Sequence, residues 1–210
     1  MNNLELNQSL QMIGFRISGK LSESKDIVDI EKTLFEASLQ VSFDGRIFAL
    51  LCSWVLVHGD KVIIEKLMKM QKQELSPWIV ALAVFAYHHG FHQWKRLIKP
   101  LKNKIFFVSF ESAQSQIARK GAFPGMAKQN IFIANNEIRL RTEDILSQKE
   151  LIQSNRQYRN RYLYGACIRS DVISLIEVGV PNPYQIAKKL GCSQGPAYRI
   201  MKEYRLAMAS

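Results

Sequence analysis

At 210 residues, 47% of them hydrophobic and 22% charged, the chain has the apolar content of a folded protein with one large domain or an ordinary domain plus a small one. Its net charge of +11 argues for a polyanionic partner, nucleic acid first among them, or for a solvated basic surface. Three scattered cysteines (Cys52, Cys167, Cys192) exclude a disulfide framework and a CxxC metal pair, and suit a reducing compartment.

The charge is uneven. Residues 1–90 hold 9 Lys/Arg against 10 Asp/Glu, and residues 131–150 hold 3 against 4. The excess sits in two blocks, 91–130 with 8 against 1 and 151–210 with 9 against 3. Met1–Leu10 is polar and lacks the basic-then-apolar order of a secretory signal, so a cytoplasmic location is expected. The apolar run Ile47–Val57 would cover only about half of a bilayer core at ~1.5 Å per residue. Leu75–Trp94 is interrupted by Ser76, Pro77, Gly90 and histidines. Both are expected as buried helices, with no membrane partner.

In chain order, a weakly patterned start gives way to successive helices over 24–98. Ile27, Ile30, Leu34, Phe35 and Leu39 recur at three- and four-residue spacing, which marks one buried helical face. A second helix is expected from Asp44 to His58, with Gly59 as a left-handed cap. Asp60 would cap a third, with Val62, Ile63, Ile64, Leu67 and Met68 facing inward. Ser76-Pro77 starts a fourth, whose stretch Trp78–His89 is apolar nearly all round and belongs at the centre of a bundle. Gly90 ends it, and a basic, aromatic segment runs on to Ile98.

From residue 101 the pattern changes. Ile105–Phe110 reads as a strand, and Ile131–Ala134 and Glu137–Leu140 read as a hairpin around Asn135-Asn136. A basic loop, Arg119–Lys128, lies between them, and Thr142–Asn160 is a further helix or a linker.

The most specific signal is at 183–202, Pro-Tyr-Gln-Ile-Ala-Lys-Lys-Leu-Gly-Cys-Ser-Gln-Gly-Pro-Ala-Tyr-Arg-Ile-Met-Lys. It resembles the twenty-residue pattern of helix-turn-helix DNA-binding proteins. Ala187 stands at the small fifth place and Gly191 at the ninth, where the turn needs a backbone conformation that a side chain penalises. Ile186, Leu190, Cys192, Ala197 and Ile200 fill the apolar places. Asn182 and Ser193 suit the two N-caps, and Pro183 and Pro196 fall in first turns. Upstream, Tyr164–Gly179 resembles the opening helix of bacterial winged-helix regulators, with Ile168, Val172, Ile173, Leu175 and Ile176 packing on the other two.

The resemblance covers roughly 160–206. Ala197 is smaller than the Val or Ile usual there, and four residues after Leu206 leave no room for a β-hairpin wing. Ile131–Leu140 is a candidate to supply that contact. The resemblance implies base contacts from the exposed positions of the second helix: Ser193, Gln194, Gly195, Tyr198, Arg199 and Lys202. Gln194 can pair with adenine and Arg199 with guanine. Lys188, Lys189, Arg205, Arg159, Arg161 and Arg169 are the expected contacts to the DNA backbone.

Other patterns compete. His88 and His92 share a helical face at a spacing zinc sites use, but no Cys, Asp or Glu stands near them in sequence. Lys120–Lys128 has glycines and lysines without the GK[ST] of a phosphate loop. The aromatics between Phe91 and Phe110 alternate with lysines, as in single-strand binders or as in an amphipathic surface with buried rings. No catalytic constellation is legible, so neither an enzyme nor a cofactor is expected.

The resulting expectation is a mainly α, α+β chain. Residues 1–100 would form a helical bundle for dimerisation, effector or partner binding. Residues 101–155 would be a small mixed segment, and 156–210 a three-helix helix-turn-helix. The expected function is sequence-specific binding of double-stranded DNA by a homodimeric transcriptional regulator or antitoxin-like repressor. The alternatives are a protein-interaction adaptor and a nucleic-acid-processing enzyme with a targeting helix-turn-helix.

Overall fold

The computed structural model describes residues 3–17 and 27–208. Residues 24–26, where the expected helical stretch opens, lie outside these. The fold is mainly helical with one two-stranded parallel sheet. Among the described residues no helix is long and apolar enough to cross a membrane.

Helix α1 (Asn3–Met12) was not marked by any periodicity. It is held in place by Leu6, Leu10 and Ile13, which enter the main core, and by the Trp54 indole N–H donating to the Ile13 carbonyl at 2.8 Å. Helix α2 (Ile30–Gln40) starts at Asp29, whose carboxylate accepts the Lys32 N–H at 3.0 Å. Helix α3 (Gly45–His58) is capped by Asp44 in the same way.

Two expected caps are corrected. Gly59 has φ −61, so it is not a left-handed cap. A Cβ there would lie 3.0 Å from Val55 and 3.2 Å from Phe91, so close approach rather than backbone freedom selects glycine. Asp60 sits in the single 3-10 turn Gly59–Lys61, and α4 (Ile64–Gln73) starts later. The backbone N–H of its N-cap, Ile63, is taken at 2.8 Å by the distant carboxylate of Glu31.

Helix α5 (Pro77–His88) begins at Ser76-Pro77 as expected, and Trp78–Ala86 are all buried at the centre of the bundle. Ser76 is itself buried; Gln71 bonds both its N–H and its carbonyl. Gly90 (φ +92) ends the helix, and the basic segment that follows is a 3-10 turn, His92–Leu97.

The β region differs most from expectation. Strand β1 is only Ile105–Phe106, because Ser109 caps a helix, α6 (Phe110–Lys120), that the aromatic run concealed. Strand β2 (Ile131–Phe132) pairs with β1 in parallel, Ile105 opposite Ile131. No hairpin forms at Asn135-Asn136: Ala134 bridges back to Ala122, although Asn136 does take a positive φ of 61. Ile131 and Ile133 enter the main core, as do Leu101, Phe123, Met126 and Ile145, so 101–145 folds onto the bundle. Thr142–Asn160 is helical in two pieces, α7 (Gln148–Ser154) and the first half of α8 (Arg156–Tyr164), jointed at Asn155.

The last three helices are α9 (Ile168–Glu177), α10 (Pro183–Leu190) and α11 (Gln194–Met208). They enclose a second, separate core of Val172, Ile173, Leu175, Ile186, Ala187, Ala197, Ile200 and Met201.

Candidate nucleic-acid interface

The geometry of the three-helix unit follows from its sequence position by position. Asn182 accepts the Gln185 N–H at 2.9 Å with Pro183 in the first turn, so α10 starts where its caps dictate. Gly191 ends it in the left-handed region (φ 59, ψ 33). Ile186, Ala187, Ala197 and Ile200 are buried, with Leu190 and Cys192 packed half-buried against them. Ala197 is fully buried, so its small side chain lies inside the packed unit. Helix α11 begins at Gln194, directly after Ser193.

Burying Ala197, Ile200 and Met201 leaves one face of α11 in solvent. Ser193, Gln194, Gly195, Tyr198, Arg199 and Lys202 are all exposed on or beside it. Lys188, Lys189 and Arg205 are exposed as well, and Arg205 donates to the Pro181 carbonyl at 3.1 Å.

The remaining expected phosphate contacts separate into two kinds. Arg159 pairs with Glu177 at 3.2 Å and Arg169 with Glu203 at 2.8 Å, both about half exposed. Arg161 is a correction. It is completely buried and cannot lie against a DNA backbone. Its Nε and Nη2 donate to Asp171 at 2.9 Å, and Nη1 and Nη2 to Glu31 at 2.6 and 2.9 Å. Nη1 also reaches the Lys61 carbonyl at 2.8 Å, which gives all five N–H groups a partner.

This arginine is the centre of a polar joint between the two cores. Lys66 adds Asp29 at 2.7 Å, Glu31 at 3.1 Å and Asp171 at 3.3 Å. Gln157 donates to Asp171 at 2.9 Å. Burial alone would raise the Glu31 pKa, but Arg161 and Lys66 outweigh it and hold the carboxylate ionised. Burial likewise works against the Lys66 ammonium, and the carboxylates of Glu31, Asp29 and Asp171 overcome it and raise its pKa. At the surface, Lys69 of α4 donates to the Gly191 carbonyl at 2.9 Å, so the bundle also holds the turn itself.

The sequence conceals the joint because Arg161 stands among basic neighbours, Arg156 and Arg159. A signal was present: Gln157 and Arg161 are four residues apart and share the buried face of α8 with Tyr158. Of the nine Lys/Arg of residues 151–210, Arg156, Arg159, Arg161 and Arg169 are paired with acids, and those without an acidic partner among the described residues are Lys188, Lys189, Arg199, Lys202 and Arg205. All five belong to α10 and α11.

The expected wing segment lies elsewhere. Ile131 and Ile133 pack into the larger core, not against α9–α11. The histidine rings pack on aromatics: His88 on Phe123 at 5.3 Å, His89 on Phe85 at 4.4 Å and His92 on Tyr87 at 5.8 Å. Among the described residues no group of three or more His, Cys, Asp or Glu could hold a metal ion.

Compared with protein-family models, with curated proteins and with solved structures, the chain matches none.

Proposed function

We propose that the protein binds double-stranded DNA through α9–α11, as a sequence-specific transcriptional regulator or antitoxin-like repressor that acts without catalysis. The observation that carries this reading is the division of α11. One face closes a small core, and the other presents Gln194, Tyr198, Arg199 and Lys202 to solvent beside Lys188 and Lys189. A helix so mounted can enter a major groove, with Gln194 and Arg199 suited to adenine and guanine edges. The buried ion pairs support it further, because they hold the three-helix unit on the bundle in one orientation. A homodimer formed through the helical bundle would present two such units to a two-fold site.

The test is selection of a preferred duplex from a random pool by the full-length protein. Enrichment of one sequence, with two related half-sites, is expected. Recovery of no sequence above background would move the reading to a protein-binding adaptor.

A further inference from the structure

A cleft of about 550 Å³ separates α4 from the turn and the neighbouring ends of α10 and α11. Its walls are apolar where the two bodies face each other, with Met70 on one side and Ile168 and Leu190 on the other. Four lysines line it: Lys66, Lys69, Lys188 and Lys189. The two acids on its rim are already engaged, Asp29 with Lys66 at 2.7 Å and Glu65 with Arg96. Lys66 is neutralised within the joint, whereas Lys188 and Lys189 have no acidic partner among the described residues and Lys69 meets only the Gly191 carbonyl. The cleft therefore combines an apolar lining, a volume suited to a small organic molecule and an uncompensated positive charge at its mouth.

We infer that this cleft binds an organic anion with an apolar body, its acidic group held by Lys69, Lys188 and Lys189 and its body against Met70, Ile168 and Leu190. The site shares Lys188 and Lys189 with the proposed DNA contacts, but it is tested with no DNA present, so its failure and that of the DNA reading are distinguishable. Its floor touches the turn at Gly191 and Cys192, so the half-buried Cys192 thiol reports on occupancy.

The experiment is titration of the full-length protein with the apolar sulfonate 8-anilinonaphthalene-1-sulfonate and, separately, with the uncharged N-phenyl-1-naphthylamine. Saturable sulfonate binding is expected, weakened roughly tenfold in a Lys188→Glu/Lys189→Glu variant and weaker for the uncharged dye. Bound sulfonate should also slow alkylation of Cys192 several-fold, with Cys167 as the internal reference. Equal binding of both dyes, unchanged affinity in the double variant or an unprotected Cys192 would each overturn the assignment.

Discussion

Arg161 and Arg199 lie in the same basic block of the sequence and have opposite roles. Replacing Arg161 with Met leaves Glu31 and Asp171 facing each other in a buried site, which costs about 3–5 kcal/mol. Urea unfolding should show that loss as a fall in the transition midpoint. Arg199 is exposed and has no acidic partner among the described residues, so Arg199→Ala should leave stability within ~0.5 kcal/mol of the parent. On a selected duplex the same change should weaken binding by about 1–3 kcal/mol, with a smaller effect on random DNA. Equal losses on both duplexes would contradict direct base reading.

His58 gives a prediction of a different kind. It is fully buried, donates from Nε2 to the Leu146 carbonyl at 2.9 Å and accepts at Nδ1 from the Tyr158 hydroxyl at 2.6 Å. Burial pushes its pKa down to about 4 from an ordinary 6.5. Between those values the unfolded chain takes up a proton that the folded chain refuses, so stability falls as pH drops from 6.5 toward 4. The loss amounts to about 3 kcal/mol from this group. A His58→Gln variant should have a flatter stability–pH profile over that window, whatever its absolute stability.

At the scale of the element, the signals that could be read in the sequence were the local ones. Helix starts at Asp44, Ser76-Pro77 and Asn182 and breaks at Gly90 and Gly191 are set within a few residues, and each stands where the sequence placed it. What could not be read was settled over long distances. The start of α4 depends on Glu31, 32 residues away, and β2 chose a parallel partner across α6 rather than the adjacent hairpin. The apolar run Ile105–Phe110 reads as a longer strand, but the Ser109 cap ends it. The exposed face of α11 is legible through the helix-turn-helix resemblance; for the joint at Arg161 the sequence marks only the face shared with Gln157, not the two carboxylates, which lie 130 and 10 residues away. Gly191→Ala should destabilise the protein by about 1 kcal/mol through its left-handed conformation, since among the described residues beyond its chain neighbours an added Cβ would meet just the Lys69 Nζ, at an ordinary contact distance of 3.7 Å. Thermal unfolding should show a small drop; no change would mean that the turn relaxes.

Across the whole molecule, the two apolar cores are separate clusters, joined by buried charges at Arg161 as well as by apolar contact from Ile27. Such a contact gains little net stability from its ion pairs but penalises every other orientation, because a displaced Arg161 or Glu31 would be buried unpaired. The three-helix unit is thereby presented in one pose, with its five uncompensated cations outward. The other basic block, including Lys95, Lys99, Lys102 and Lys104, lies exposed on the bundle and adds to the positive field of the surface.

The most direct test of DNA contact is the affinity of the full-length protein for random duplex DNA across a salt series. If the five cations of α10 and α11 each neutralise a phosphate, log K should fall linearly with log salt at a slope of about −4 to −5. A Lys188→Ala/Lys189→Ala variant should flatten that slope by about 2. A flat response, or no binding at low salt, would contradict the account.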